Sequence, residues 1–224
     1  MNKFILPIVA VILGVLIATI TKSKKSWNMK LMLSFSGAFL LALTLFELLP
    51  EVYEYLPSKQ TGLLIMCGIL LQITLELFSK GAEHGHVHIH KQETAFPWML
   101  FVSLCLHSLL EGFPIHEHND MVYGVLIHKI PIAALISMFL FQSSFSKSKI
   151  TIFLILFAFM TPLGTLISNT THLSETVTLS INAVVIGIFF HISTTILFES
   201  SDGHKFNMSK FVAIILGVGM AYLI

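Results

Sequence analysis

Three metal-competent side chains lie within one short stretch of this sequence. His107 and Glu111 are four residues apart in the string LCLHSLLEGFPI, and His128 follows in LIHKIPIAAL. Residues four apart occupy one face of an α-helix, so the first two side chains are expected to be neighbours. Two imidazoles and a carboxylate, with water or Ser108 as a fourth ligand, form a set that suits Zn²⁺. The spacing therefore predicts a divalent metal site.

The elements that would position these residues are membrane helices. Of the 224 residues, 55% are hydrophobic and only 11% are charged, whereas about a quarter of the residues in soluble domains are charged. The apolar residues form blocks long enough to cross a hydrocarbon layer of roughly 30 Å. We predict an all-α polytopic membrane protein, with one transmembrane domain over residues 1–224. The predicted spans are 4–20, 31–50, 61–79, 96–115, 121–142, 149–168, 177–198 and 209–224.

Basic residues predict the orientation of these spans. Ten of the thirteen follow odd-numbered spans, and lysine-rich loops remain in the cytoplasm, so both termini are expected outside. The short chain and minimal loops favour a bacterial inner membrane. The longest connection, 80–95, would be a cytoplasmic loop. It carries four histidines that we interpret as weakly metal-binding, with a merely solvated loop as the alternative: His84, His86, His88 and His90.

A short hairpin brings the three candidate ligands to one depth. Only HEHND separates the fourth and fifth spans. With residue 118 as its tip, His107 and His128 lie nearly level, about 15 Å below the surface at 1.5 Å per residue. An ionisable residue at that depth indicates function, although a hydrogen-bond network that only joins helices is the alternative. Pro114 and Pro131 lack N–H groups and are expected to leave the carbonyls of Leu110 and Ile127 without donors beside the ligands.

The chain resembles the ZIP family of divalent metal transporters nearly end to end. HSLLEG resembles the family's fourth-span motif, HKIP is similar to the start of its fifth-span motif, and SGAFLLALTLFELLPE resembles its second span. The resemblance implies eight spans with both termini outside. For the transport step we predict zinc uptake into the cytoplasm by alternating access. The resemblance makes His107, Glu111 and His128 ligands of the transport site, with Ser108 and Lys129 as neighbours.

Four residues depart from the family pattern. Ser108 stands where asparagine is frequent, Lys129 replaces an acidic residue, Ile132 replaces a glutamate, and Thr161 occupies the place of another carboxylate. One nearby carboxylate cannot offset the four positive charges of two divalent ions in a low dielectric. We therefore expect a single ion, with the ammonium of Lys129 paired with Glu111 in place of a second cation.

Zinc is the favoured cargo, and Fe²⁺, Mn²⁺ and Cd²⁺ are alternatives. They remain alternatives because the Irving–Williams order of metal affinities does not by itself identify the physiological ion. No cofactor is expected, and no Walker motif indicates ATP. Glu47 and His191 are candidates for the ion path. Two other functions remain possible interpretations. One is a metal-dependent intramembrane hydrolase, although the sequence has no HExxH motif. The other is a transport-inactive metal sensor, which the replacement of a glutamate by Ile132 favours.

The expected partners are the metal ion and the lipid bilayer. No stretch combines basic and aromatic residues as a nucleic-acid surface would. Only two cysteines occur, Cys67 and Cys105, and both lie in predicted spans, which excludes a disulfide scaffold. The oligomeric state stays open, and a homodimer is compatible with the sequence.

Overall fold

The computed structural model describes residues 2–21, 26–79, 97–116, 120–171, 173–199 and 208–224. Within these residues the chain forms nine α-helices and one π-helical segment, and no strand. The helices are α1 (Asn2–Thr21), α2 (Ser26–Leu43), α3 (Leu49–Tyr55), α4 (Ser58–Ser79), α5 (Trp98–Leu110), α6 (Met121–Gln142), α7 (Lys147–Thr170), α8 (Glu175–Glu199) and α9 (Met208–Leu223). The π-helical segment, Thr44–Leu48, joins α2 to α3.

Each predicted span has a helical counterpart. Six helical stretches are long and apolar enough to cross a membrane, and one of them, Met29–Tyr55, contains most of α2, the π-helical segment and α3. The helices α5 and α9 are shorter but also apolar. The predicted all-α class of a multi-pass membrane protein is therefore confirmed.

Helix α5 ends earlier than the predicted span 96–115. Its last residue is Leu110, and Glu111–Pro114 form a turn. Pro114 has no N–H and disfavours helical geometry in the residue before it, which accounts for this end. The expectation that the Leu110 carbonyl lacks a donor is wrong, because Phe113 N donates to it at 3.1 Å.

The helices pack as two groups. In the first, α1 packs on α6 and α7, and α5 packs on α7. In the second, α4 and α9 pack on α8 and α2 respectively, and α2 also contacts α8. The groups meet mainly where α2 packs on α6 and α4 packs on α5. Both candidate ligand helices, α5 and α6, therefore belong to the first group and line its boundary with the second.

Two apolar clusters fill the interior. One includes Leu43 and Val125 and lies towards the start of α6. The other includes Leu33 and Ile136 and lies towards its end. Leu110 packs against both clusters, so the polar residues beside it lie between two apolar layers.

Candidate metal site

His107, Glu111 and His128 converge from two helices. Glu111 follows the last residue of α5, but its N–H still donates to the carbonyl of His107 at 3.0 Å, so the helical relation between the two residues is kept. His107 Nε2 lies 3.4 Å from Glu111 Oε2. The ring centroids of His107 and His128 are 6.3 Å apart, with the rings nearly perpendicular. All three residues are at most 3% exposed.

The first two donor atoms already have the spacing of zinc ligands. Atoms bound at about 2.1 Å to a tetrahedral zinc ion are separated by about 3.4 Å, which is the His107–Glu111 distance. Two imidazoles on one ion would have centroids about 5 Å apart, so His128 would have to approach His107 by about 1 Å. In keeping with this, the described residues include no three His, Cys, Asp or Glu side chains grouped closely enough to hold an ion without movement.

Lys129 occupies the other side of the carboxylate. Its ammonium contacts Glu111 Oε1 and lies 3.0 Å from Ser108 Oγ and 2.8 Å from Thr161 Oγ1. An ammonium has three N–H donors, and these three acceptors account for all of them. Lys129 Nζ also lies 4.5 Å from the ring centroid of Phe157, within cation–π range. The predicted pairing of Lys129 with Glu111 is therefore present, in a fully buried setting.

The two oxygens of Glu111 thus have different neighbours. Oε1 accepts hydrogen bonds from Lys129 and, at 2.6 Å, from the hydroxyl of Thr161. Oε2 faces His107. With both imidazoles neutral, the charges of Lys129 and Glu111 cancel. This matters because an uncompensated charge in such an interior would be strongly destabilising.

Close contact between α7 and the end of α5 brings Thr161 to the site. A Cβ atom at Gly112 would overlap the Thr161 carbonyl, and one at Gly164 would overlap the Leu109 carbonyl. Thr165 Oγ1 donates to the Gly112 carbonyl at 2.9 Å. In the sequence Thr161 stands out only as a lost carboxylate, and its hydrogen bonds to Glu111 and Lys129 were not predicted. The available signal was the stripe of small and hydroxyl residues on one face of α7, at positions 161, 164, 165 and 168.

The two path candidates lie elsewhere in the bundle. Glu47, in the π-helical segment, accepts a hydrogen bond from Asp120 N at 3.1 Å, just before α6 begins. His191 Nε2 lies 2.6 Å from Glu76 Oε2, between α8 and α4. The four loop histidines, His84, His86, His88 and His90, fall outside the described residues.

Similar proteins are known. "Zinc transporter ZIP1" of Danio rerio is 33% identical over 87 residues, covering 36% of this chain and 29% of that protein. "Zinc transporter ZIP1" of Plasmodium falciparum (isolate 3D7) is 30% identical over 127 residues, covering 50% of this chain and 36% of that protein. "Protein zntD" of Dictyostelium discoideum is 29% identical over 106 residues, covering 39% of this chain and 16% of that protein. The matched part of the chain thus covers at most 36% of the length of any of these relatives.

The sequence pattern of one family, described as "ZIP Zinc transporter", matches residues 79–224. This match covers more than half of the chain and includes His107, Glu111 and His128. The chain therefore belongs to the ZIP zinc transporter family.

Proposed function

We propose that this protein carries one divalent transition-metal ion, zinc first, across a membrane through a site formed by His107, Glu111 and His128. The observation that carries the proposal is the 3.4 Å separation of His107 Nε2 and Glu111 Oε2, because it matches an edge of a tetrahedral zinc site. The zinc named in two of the relatives favours the same ion. Fe²⁺, Mn²⁺ and Cd²⁺ are further cargoes that this ligand set accepts.

The site holds one ion because Lys129 fills the space beside it. The ammonium contacts Glu111 Oε1, so only Oε2 faces the histidines. A second divalent ion at Oε1 would have to displace an ammonium that has three hydrogen-bond partners. It would also add two charges to a site with one carboxylate, which a low-dielectric interior opposes.

Movement between the helix groups would open the site to either side. The ligands lie in the first group, while the second group forms the opposite wall at the boundaries between α2 and α6 and between α4 and α5. A rocking motion would part the two helix groups at one apolar cluster while the other cluster stays packed, as alternating access requires. The lysine-rich loops favour uptake into the cytoplasm with both termini outside. Short loops favour a bacterial inner membrane, although the relatives named above are eukaryotic.

Zinc uptake by reconstituted protein tests this proposal. The purified chain in liposomes that contain a zinc indicator should take up external Zn²⁺, and His107→Ala and Glu111→Ala should abolish uptake. Glu175→Gln, which changes an exposed carboxylate in the first turn of α8, is the matched control and should retain it. Zinc binding without uptake would instead indicate a metal sensor. Zinc-dependent cleavage of an added lipid or peptide would indicate a hydrolase.

A further inference from the structure

Glu111 lies on a turn rather than within a helix. Its N–H donates to the His107 carbonyl at 3.0 Å, which continues the last turn of α5. The next residue departs from that pattern, because Gly112 N donates to the Leu109 carbonyl at 3.2 Å and closes a tighter turn. Turns move more readily than the helices that they follow. A metal ligand at this position therefore depends on support from a neighbouring element.

Helix α7 gives that support by binding the backbone of the turn. Thr165 Oγ1 donates to the Gly112 carbonyl at 2.9 Å, and Ser168 Oγ donates to the Phe113 carbonyl at 3.0 Å. The Thr165 hydroxyl also lies 3.1 Å from the Thr161 carbonyl of its own helix, so its contact with the turn is the shorter of the two. The two residues that directly follow Glu111 are thus both bonded to α7.

The side chain of Glu111 is held by the same helix. Thr161 lies one turn before Thr165, and its hydroxyl donates to Glu111 Oε1 at 2.6 Å. Residues 161, 165 and 168 are four and three apart, so their side chains share one face of α7. Thr161 and Thr165 are fully buried, and a hydrogen bond in such an interior is stronger than one in water. Glu111 is therefore restrained both at its backbone and at its carboxylate.

This restraint affects the size of the ion that fits. Glu111 Oε2 lies 3.4 Å from His107 Nε2, as a tetrahedral zinc ion with bonds of about 2.1 Å requires. Cd²⁺ is larger than Zn²⁺, and an ion with bonds about 0.2 Å longer requires a separation about 0.3 Å wider. To reach that separation, Glu111 would have to move away from His107 and stretch its hydrogen bonds with α7. The contacts with α7 therefore disfavour the larger ion.

We propose that Thr165 and Ser168 position Glu111 for Zn²⁺ and thereby make the site prefer Zn²⁺ to Cd²⁺. The inference rests on the proposed function, because it takes His107 and Glu111 as ligands of the ion. Thr165 and Ser168 are not ligands themselves, and each acts through the backbone of the turn. Residues that hold metal ligands in place commonly change metal affinity by about tenfold or more when they are replaced.

The alternative is that these hydroxyls only hold α5 and α7 together. The two roles differ in the quantity that changes when a hydroxyl is removed. A structural role alone would lower the fraction of folded protein, while the folded fraction would keep its affinity for both ions. A positioning role lowers the affinity for Zn²⁺ more than the affinity for Cd²⁺, so the ratio of the two affinities changes.

Equilibrium dialysis with ⁶⁵Zn²⁺ and, separately, with ¹⁰⁹Cd²⁺ measures this ratio for the full-length chain in detergent. Binding that Glu111→Ala abolishes is assigned to the site. The double variant Thr165→Val with Ser168→Ala should lose about tenfold in zinc affinity and at most about threefold in cadmium affinity. Thr165→Ser keeps the hydroxyl and should keep the preference for zinc. Thr170→Val is the matched control, because the Thr170 hydroxyl donates to the Leu166 carbonyl of its own helix.

An unchanged ratio in the double variant would overturn the inference, and so would a lost preference for zinc in Thr165→Ser. Ser168→Ala alone, at the less buried of the two positions, should shift the ratio in the same direction by a smaller factor. This single variant keeps the test decisive where the double variant fails to fold.

Zinc uptake in proteoliposomes gives a second measure of the two roles. The double variant should raise the half-saturating zinc concentration about tenfold and leave the maximal rate nearly unchanged. A lower maximal rate with an unchanged half-saturating concentration would indicate the structural role and overturn the inference. Absence of Glu111-dependent binding of either ion would contradict the proposed function as well, whereas an unchanged affinity ratio with normal zinc uptake would contradict the positioning role alone.

Discussion

Replacement of Lys129 by methionine should make the site bind zinc more tightly. Methionine keeps the length and apolar stem of lysine but removes the ammonium, which contacts Glu111 Oε1. In the variant, a zinc ion at Oε2 would no longer share the Glu111 carboxylate with an ammonium at Oε1. The substitution also leaves Glu111 buried without its counter-ion, so the ion-free protein should be less stable.

The magnitude follows from the geometry. Zinc about 2 Å from Oε2 would lie roughly 5 Å from the ammonium nitrogen. A divalent and a monovalent charge at that distance repel by about 6 to 7 kcal/mol at an effective dielectric constant of about 20. Lysine movement and hydration reduce this upper bound, so we expect a gain in zinc affinity of at least tenfold, or about 1.4 kcal/mol. Loss of one partner of a buried ion pair should destabilise the ion-free protein by about 3 to 5 kcal/mol.

Two measurements on the purified protein test whether the Lys129 ammonium competes with zinc for Glu111. Equilibrium dialysis gives the zinc affinity, and thermal unfolding with and without zinc gives the stability. The Lys129→Met variant should unfold at a lower temperature than the unsubstituted protein without zinc and should gain more from zinc. Lys149→Met, in the exposed first turn of α7, is the matched control and should change neither quantity. An unchanged or weaker zinc affinity in Lys129→Met would refute the competition between ammonium and ion.

Three further outcomes follow from the contacts around the site. Thr161→Val removes the hydroxyl that donates to Glu111 Oε1 and should lower the free energy of unfolding by about 1 to 3 kcal/mol, whereas Thr161→Ser should not. Gly164→Ala puts a methyl group onto the Leu109 carbonyl, so thermal unfolding should show a loss of about 1 to 3 kcal/mol, and normal stability would contradict the tight contact. The double variant Leu43→Cys with Gly124→Cys should form a disulfide between the two helix groups, because a Cβ atom added at Gly124 would lie 3.1 Å from Leu43 Cδ1. Uptake should stop on oxidation and return on reduction, with each single variant active.

The sequence predicted those features that depend on local spacing. Hydropathy blocks identify membrane helices because only long apolar helices satisfy their backbone in lipid. The matched depth of His107 and His128 follows from two helices of fixed rise joined by a short loop. The neighbouring positions of His107 and Glu111 follow from helical periodicity, which continues for one residue beyond α5.

Contacts between distant helices are not predictable from local spacing in the sequence. Thr161 and Glu111 are 50 residues apart, and His191 and Glu76 are 115 apart. No local period reports such a pairing, since it depends on which helix faces approach each other. Glycines at the approach, such as Gly164, carried part of the signal, but a single sequence does not say which helix each glycine faces. The Leu110 carbonyl was misjudged for a related reason, because the chain formed a tighter turn and Phe113 N replaced the missing donor.

The Lys129 ammonium determines the net charge of the site during the proposed transport cycle. Without an ion, Lys129 and Glu111 sum to zero charge when both imidazoles are neutral. A bound zinc ion brings the site to two positive charges, in surroundings made largely of apolar clusters. That excess opposes tight binding, because desolvated charge without compensation is costly. A carrier must release its cargo as well as bind it, and on this reasoning Lys129 favours release at the expense of affinity. The tighter binding expected for Lys129→Met should therefore be accompanied by slower zinc release and a lower maximal uptake rate.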